Sequence, residues 1–77
     1  MSEPEPLEVD ATGLACPMPL LKAKRALNGL SPGDRLRVLS TDSGSVRDFQ
    51  IMSEKTGHRI LEFSEKEGTY SFLFEKA

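Results

Sequence analysis

The chain has 77 residues and a formal net charge of −2 at pH 7, so it has the size of one small domain and lacks the strongly basic balance of most nucleic-acid-binding modules. Its hydrophobic share of 38% and charged share of 29% are those of a globular protein, and no apolar run is long enough to span a membrane. We therefore expect one cytoplasmic domain over residues 7–77, without membrane or direct nucleic-acid contact. Residues 1–6 should form a flexible, acidic, proline-rich tail that differs from a secretion signal.

The first predicted elements are a short strand and a helix. Apolar and polar residues alternate over residues 7–10, which predicts a strand with Leu7 and Val9 facing the core. Proline is favoured at the first position of a helix. The sequence therefore predicts a helix over residues 17–29 with Cys16 as its N-cap.

The predicted helix has an apolar face and a basic face when its residues are placed about 100° apart. The apolar face should pack against the core and holds Pro19, Leu20, Ala23, Ala26, Leu27 and Leu30. The basic face holds Lys22, Lys24 and Arg25, with Met18 and Leu21 as apolar neighbours close to the cysteine. Exposed apolar side chains beside a basic face predict a surface that binds a protein partner, and we expect Asp42 to contribute to it.

The next elements are predicted as a second strand and a second helix. Residues 35–40 alternate apolar and polar side chains, as a half-buried strand does. The junction that follows is rich in N-cap residues, among which Asp42 is the favoured cap and Ser43 the next choice. The helix should end near Thr56, because Gly57 is a good C-terminal stop.

A β-hairpin completes the predicted domain. Residues 58–64 and 69–75 read as strands, joined by a glycine-containing turn at residues 65–68. The order β-α-β-α-β-β predicts a two-layer α/β (α+β) sandwich with a mixed four-stranded sheet. Right-handed crossovers place both helices on one face of that sheet. The first helix then begins at the carboxyl end of the first strand, an edge where α/β folds commonly bind ligands.

Cys16 is the only cysteine of the chain, so an internal disulfide is excluded. One cysteine and one histidine cannot form a structural zinc site by themselves, and we expect neither a metal nor a cofactor. The remaining roles for this cysteine are a buried filler, a reactive thiol or one half of an intermolecular pair.

The predicted position of Cys16 favours the reactive thiol. The partial positive charge of a helix N-terminus stabilises a thiolate. Pro17 and Pro19 stiffen the turn and have no amide hydrogen. The donors left near the sulfur are then the amides of Met18 and Leu20.

No second catalytic group accompanies the cysteine. His58 follows a helix stop and is expected at the surface rather than as a base for the thiol. Asp42 should lie at the same edge as Cys16, because both junctions follow parallel strands. A presented nucleophile without a base indicates a carrier, which accepts sulfane sulfur as a persulfide and releases it to another thiol. The alternative is a non-catalytic regulatory or interaction domain in which Cys16 only caps a helix.

The segment Leu14-Ala15-Cys16-Pro17-Met18-Pro19-Leu20 resembles the Cys-Pro-X-Pro signature of the TusA/SirA family of small sulfur-carrier proteins. The resemblance extends over nearly all of residues 7–75 and includes the Ser-Pro-Gly-Asp turn at residues 31–34. It implies a fold like the C-terminal domain of bacterial translation initiation factor three. It also implies a persulfide on Cys16, with Pro17 and Pro19 as supporting residues of the motif.

The resemblance also implies partners for the carrier. The sulfur would come from a cysteine desulfurase or a rhodanese-like donor and pass to a downstream relay protein, and we expect the carrier itself to be a monomer. Destinations in the family are tRNA 2-thiolation, sulfur oxidation and molybdenum-cofactor pathways. Met18 stands where the best-known tRNA branch carries Glu, so the sequence leaves the destination open.

Overall fold

A computed structural model describes residues 5–77 as a four-stranded sheet with two helices packed on one face. In chain order the elements are β1 (Leu7–Ala11), α1 (Met18–Asn28), β2 (Arg35–Ser40), α2 (Gly44–Thr56), β3 (Arg59–Lys66) and β4 (Thr69–Glu75). This is the predicted order, and the predicted fold class is confirmed. Residues 1–4, the larger part of the predicted tail, lie outside the described residues. Neither of the helices in the described part of the chain is long and apolar enough to cross a membrane.

The sheet is mixed, with the strand order β1-β2-β4-β3. β1 pairs with β2 in parallel, and β4 pairs antiparallel with both β2 and β3. Because β1 and β2 are parallel neighbours, their carboxyl ends lie side by side. The loops that lead to α1 and α2 therefore leave the sheet at the same edge.

The core lies between the sheet and the two helices. Phe49 of α2 is fully buried and meets the rings of Phe72 and Phe74 edge-on, at centroid distances of 4.6 and 5.5 Å. Such aromatic pairs add about 0.5–1.5 kcal/mol each beyond the area that they bury. The predicted core face of α1 is confirmed, since Pro19, Ala23 and Leu27 are buried and Leu20, Ala26 and Leu30 pack against the cluster.

The prediction that Leu7 faces the core is wrong. Its side chain is 49% exposed, whereas Ala11, at the other end of β1, is fully buried. β1 is an edge strand, so its first residue has a neighbouring strand on one side only. Val9 lies between these extremes and packs against the core, as predicted.

The prediction that Cys16 is the N-cap of the first helix is also wrong. The N-cap is Pro17, with φ of −97°, and α1 begins at Met18. Pro17 has no amide hydrogen to donate. A turn closed by the Met18 amide on the Ala15 carbonyl, at 2.9 Å, precedes the helix instead, and Cys16 belongs to that turn.

The second helix starts at the less favoured of its two candidate caps. Ser43 is the N-cap, and Asp42 lies outside the helix. Among residues 5–77 the Ser43 side chain makes no capping hydrogen bond. The predicted end is confirmed: Gly57 has φ of 81°, and its amide donates to the Ser53 carbonyl at 3.0 Å.

The hairpin turn is shorter than predicted. β3 runs from Arg59 to Lys66, and only Glu67 and Gly68 form the turn, both at positive φ. Two-residue hairpin turns of this kind require a left-handed backbone at both central positions. The prediction of a four-residue turn is wrong because Glu65 and Lys66 belong to β3, where they pair with Tyr70 and Thr69 of β4.

Candidate functional site

Cys16 is exposed in the loop between β1 and α1. The loop starts on a turn in which Asp10 Oδ1 accepts hydrogen bonds from the Thr12 amide at 2.9 Å and from the Thr12 hydroxyl at 2.6 Å. These bonds lower the pKa of the Asp10 carboxyl, because they favour its ionised form. The cysteine therefore follows an anchored turn at the edge of the sheet.

The loop between β2 and α2 holds the cysteine loop from the side. The Gly13 amide donates to the Thr41 hydroxyl at 2.8 Å, and the Cys16 amide donates to Asp42 Oδ2 at 3.1 Å. The two junctions thus meet, as the parallel strands predict. Asp42, which was expected to cap α2, instead binds the backbone of the reactive residue.

Two buried serines fix the position of Asp42. The hydroxyls of Ser40 and Ser45 lie 2.8 Å apart, and the side chains are buried. Ser40 Oγ also accepts a hydrogen bond from the Asp42 amide at 3.1 Å. Neither serine is among the site residues predicted from the sequence. Their polar side chains occupy inward positions at the end of β2 and the start of α2. Polar residues at two neighbouring inward positions could have predicted that they hydrogen-bond to each other.

The partner of the sulfur is Asp48 in α2. Cys16 Sγ donates to Asp48 Oδ2 at 3.1 Å. The pKa of the Cys16 thiol is raised above its ordinary value, first because this hydrogen bond stabilises the protonated form, and further because the charges of Asp48 and Asp42 disfavour the thiolate. The expectation that the helix N-terminus would promote the thiolate is therefore wrong for the carrier alone. The amide of Met18, one of the two expected donors, is bonded to Ala15 instead.

Asp48 was also missed from the sequence, although a signal was present. The inward stripe of α2 contains Ser45, Phe49 and Met52, all buried. Asp48 occupies the i+3 position of that stripe and is half-buried. A carboxylate on the inward side of an amphipathic helix needs a hydrogen-bond partner, and here the partner is the thiol.

The remaining predicted site residues form a groove on α1 and β1. Met18 and Leu21 are 44% and 50% exposed. They line a groove of about 520 Å³ together with Val9, Lys22, Arg25 and Ala26. The structure thus brings all four predicted partner-binding residues of α1 together, while Asp42 lies beside the cysteine backbone.

Pro17 and Pro19 have different surroundings. Pro17 is exposed next to the cysteine, and Pro19 is buried in the first turn of α1. The exposed proline therefore shapes the cysteine loop, while the buried one anchors the start of the helix.

His58 lies far from the cysteine. It follows the end of α2, whose start is at the cysteine edge of the sheet, and its Nδ1 accepts the Ala77 amide at 3.0 Å. Burial and the charge of Lys76 lower the pKa of the imidazole.

In residues 5–77 no three His, Cys, Asp or Glu side chains gather as metal ligands would. The chemistry available at this edge is therefore that of a single thiol flanked by two carboxylates.

Comparison with known proteins gives consistent matches over nearly the whole described chain. The family model described as Sulfurtransferase TusA matches residues 7–76. The sulfur carrier protein TusA of Allochromatium vinosum is 46% identical over 70 residues, which cover 91% of this chain and 92% of that protein. A putative sulfur carrier protein of Neisseria meningitidis serogroup A is 43% identical over 67 residues, covering 87% of this chain and 90% of that protein.

A solved structure is similar as well. The crystal structure of a SirA-like protein from Desulfitobacterium hafniense matches with a TM-score of 0.80 and 32% identity, over 90% of this chain and 95% of that one. The family model's match over residues 7–76 includes both strand-to-helix junctions, with Cys16 in the first of them.

Proposed function

This chain belongs to the TusA family of sulfur carriers, and we propose that it carries sulfur as a persulfide on Cys16. The observation that carries the proposal is the placement of the only cysteine, which is exposed at the edge of the sheet where two loops meet. An exposed edge allows the sulfur to enter the active site of a partner. A buried filler role does not fit a cysteine that faces solvent.

The chemistry is an exchange between two cysteines. Cys16 Sγ loses its proton to solvent and bonds to the outer sulfur of a donor persulfide. The sulfur–sulfur bond of the donor breaks, and its electron pair stays on the donor cysteine, which leaves as a thiolate and takes up a proton. The transfer involves no net oxidation, and it runs in reverse when an acceptor thiol attacks the loaded carrier.

Intact-mass measurement tests this assignment directly. After incubation with a cysteine desulfurase and free cysteine, the wild-type chain should gain the mass of one sulfur atom and lose it under reductant. Cys16→Ala and Cys16→Ser should gain none, because neither side chain can form a persulfide. The proposal is wrong if the wild-type chain stays unmodified while the same desulfurase loads a second, known acceptor.

The competing interpretation is that Cys16 only caps a helix, and the observed N-cap does not support it. The N-cap is Pro17, and the cysteine side chain bonds Asp48 rather than an amide of α1. Serine would be a good replacement for a helix cap, so retained sulfur transfer in Cys16→Ser would revive that interpretation.

The α1 groove is where we propose that the sulfur donor docks. Its apolar part, Met18 and Leu21, is flanked by the cations Lys22 and Arg25, so it complements an acidic surface with an apolar centre. Met18 is two residues from the thiol, which places a docked partner next to the sulfur. We propose a cysteine desulfurase or a rhodanese-like protein as donor and a downstream relay protein as acceptor, with the monomeric carrier acting in the cytosol.

Charge reversal tests the docking surface. Lys22→Glu combined with Arg25→Glu should slow loading by the desulfurase about tenfold, because rim charges chiefly set association rates. Lys66→Glu combined with Lys76→Glu changes the net charge equally, away from the groove, and should leave the rate within about twofold. A small-molecule persulfide should load both variants at the wild-type rate. Equal desulfurase rates for the two variants would remove this face from the proposal.

A further inference from the structure

The hydrogen bond between Cys16 and Asp48 joins the cysteine loop to α2. It spans 32 positions of sequence and is 3.1 Å long. Asp48 is half-buried in the first part of α2, a helix held on the core by Phe49 and Met52. The carboxylate is therefore mounted on a rigid element, while the thiol is on an exposed loop.

The charges around this contact are unevenly placed. Asp48 and Asp42 put two carboxylates beside the thiol, from α2 and from the loop before it. On its far side, Asp48 lines a small cleft of about 180 Å³ between the helices, where Lys24 of α1 and Lys55 of α2 are neighbours. Lys22 of α1 interacts with Asp10 of β1. The charges that act on the thiol are thus those of Asp48 and Asp42, while Lys24 and Lys55 line the cleft on the other side of Asp48.

We propose that Asp48 is a positioning residue that holds the empty Cys16 thiol by a hydrogen bond and turns the loaded side chain away from α2. The proposal rests on Cys16 being the persulfide carrier, the function proposed above. It assigns to α2 a role that distinguishes the empty carrier from the loaded one.

In the empty carrier, the number of hydrogens on the sulfur explains why the thiol is held. The thiol has one hydrogen, and Asp48 accepts it, so the protonated form is stabilised. This agrees with the raised pKa of Cys16. A protonated thiol is a poor nucleophile and a poor target for oxidants, so the carrier alone is protected until a partner changes the surroundings of Asp48.

The loaded state reverses the interaction. When Cys16 Sγ bonds to a second sulfur it has no hydrogen left to donate, so the bond to Asp48 is lost. A perthiol is a stronger acid than the parent thiol, so the outer sulfur carries negative charge near neutral pH. Two carboxylates then repel it. The side chain rotates toward solvent and into the acceptor's site, where the outer sulfur takes up a proton. The acceptor thiolate then bonds to the outer sulfur, and the Sγ–S bond breaks with its electron pair left on Cys16 as a thiolate.

Titration of the empty carrier tests the holding role. Asp48→Asn keeps the shape but removes the charge, and its amide donates to a thiolate. The ultraviolet absorbance of the thiolate should therefore titrate at lower pH, and alkylation by iodoacetamide at neutral pH should be about three- to tenfold faster. Glu54→Gln removes one exposed carboxylate from the same helix and should change the alkylation rate by less than about 1.5-fold. Identical titration curves for Asp48→Asn and wild type would overturn the holding role.

NMR of the wild-type chain tests whether the loaded side chain turns away from α2, with Asp48→Asn as the comparison variant. J couplings that report the χ1 rotamer of Cys16 should differ between the empty and the persulfide-loaded carrier, and the side-chain carbon shift of Asp48 should change with them. In Asp48→Asn the loaded cysteine should keep the rotamer of the empty state, because the amide bonds the sulfur anion. If Cys16 keeps one rotamer in the empty and the loaded wild-type chain, the proposed turn of the loaded side chain away from α2 is wrong, and the carrier function is unaffected. If the wild-type chain gains no sulfur, both the proposed function and the turn of the loaded side chain are wrong. The titration still tests whether Asp48 holds the empty thiol.

Discussion

The two strand-to-helix junctions lie at the same edge of the sheet but are built in opposite ways. The junction after β1 is exposed along most of its length and is shaped by glycine and proline. The junction after β2 begins and ends with buried serines, Ser40 and Ser45, whose hydroxyls meet. The first junction carries the thiol. It donates to two side-chain acceptors of the second junction, Thr41 and Asp42, and to Asp48 of α2.

The difference shows where the position of the thiol is decided. The cysteine loop has few side chains of its own that can hold it in place. The amides of Gly13 and Cys16 are satisfied by the neighbouring junction, which is anchored in the core, and the sulfur is satisfied by Asp48 of α2. The reactive residue is therefore presented on an exposed loop without being left to move freely, and damage to the second junction should appear in the first.

The largest expected effect comes from the buried serine pair. Ser40→Ala leaves the Ser45 hydroxyl and the Asp42 amide without their partner, which should lower the free energy of unfolding by about 1–3 kcal/mol. It should also speed hydrogen exchange of the Cys16 amide, because Asp42 loses its anchor. Urea unfolding and exchange measured by NMR check the two effects.

Ser43→Ala is the control for the buried pair. Ser43 is exposed, and in the described chain its side chain makes no capping bond. Its removal should change the free energy of unfolding by less than about 0.5 kcal/mol, although an N-cap serine normally contributes more. A cost for Ser43→Ala equal to that of Ser40→Ala would contradict the difference drawn between buried and exposed serines of this junction.

A smaller effect is expected at the direct link between the loops. Thr41→Val keeps the shape of the side chain but removes the acceptor of the Gly13 amide. Because Thr41 is exposed and water can replace it, unfolding should become easier by only about 0.5–1.5 kcal/mol. Faster exchange of the Gly13 amide, with that of β4 unchanged, would show that the loss is local. Unchanged Gly13 exchange would mean that this contact does not hold the cysteine loop.

Much of the fold was accessible from the sequence because its signals are local. The apolar spacing of Ala23 and Leu27, the alternation of β2 and the left-handed glycine after α2 each depend on residues close together in the chain. The predicted element order and the inward face of α1 are therefore confirmed. The errors fall at element ends: Leu7, Cys16 and Asp42 were each assigned from their immediate neighbours, whereas an edge strand, a proline-led turn and a distant amide decided their roles.

The sequence by itself determined the family motif, the single thiol and its place between β1 and α1. The tertiary structure alone decided what surrounds that thiol, because Asp42 and Asp48 lie 26 and 32 positions away from Cys16. The parallel pairing of β1 with β2 brings those carboxylates to the cysteine. The pKa of the thiol, which the helix position alone was expected to lower, is raised first by the hydrogen bond to Asp48 and further by burial and by the charges of both carboxylates. Long-range pairing thus favours the protonated thiol at a position where the local sequence alone predicts a thiolate.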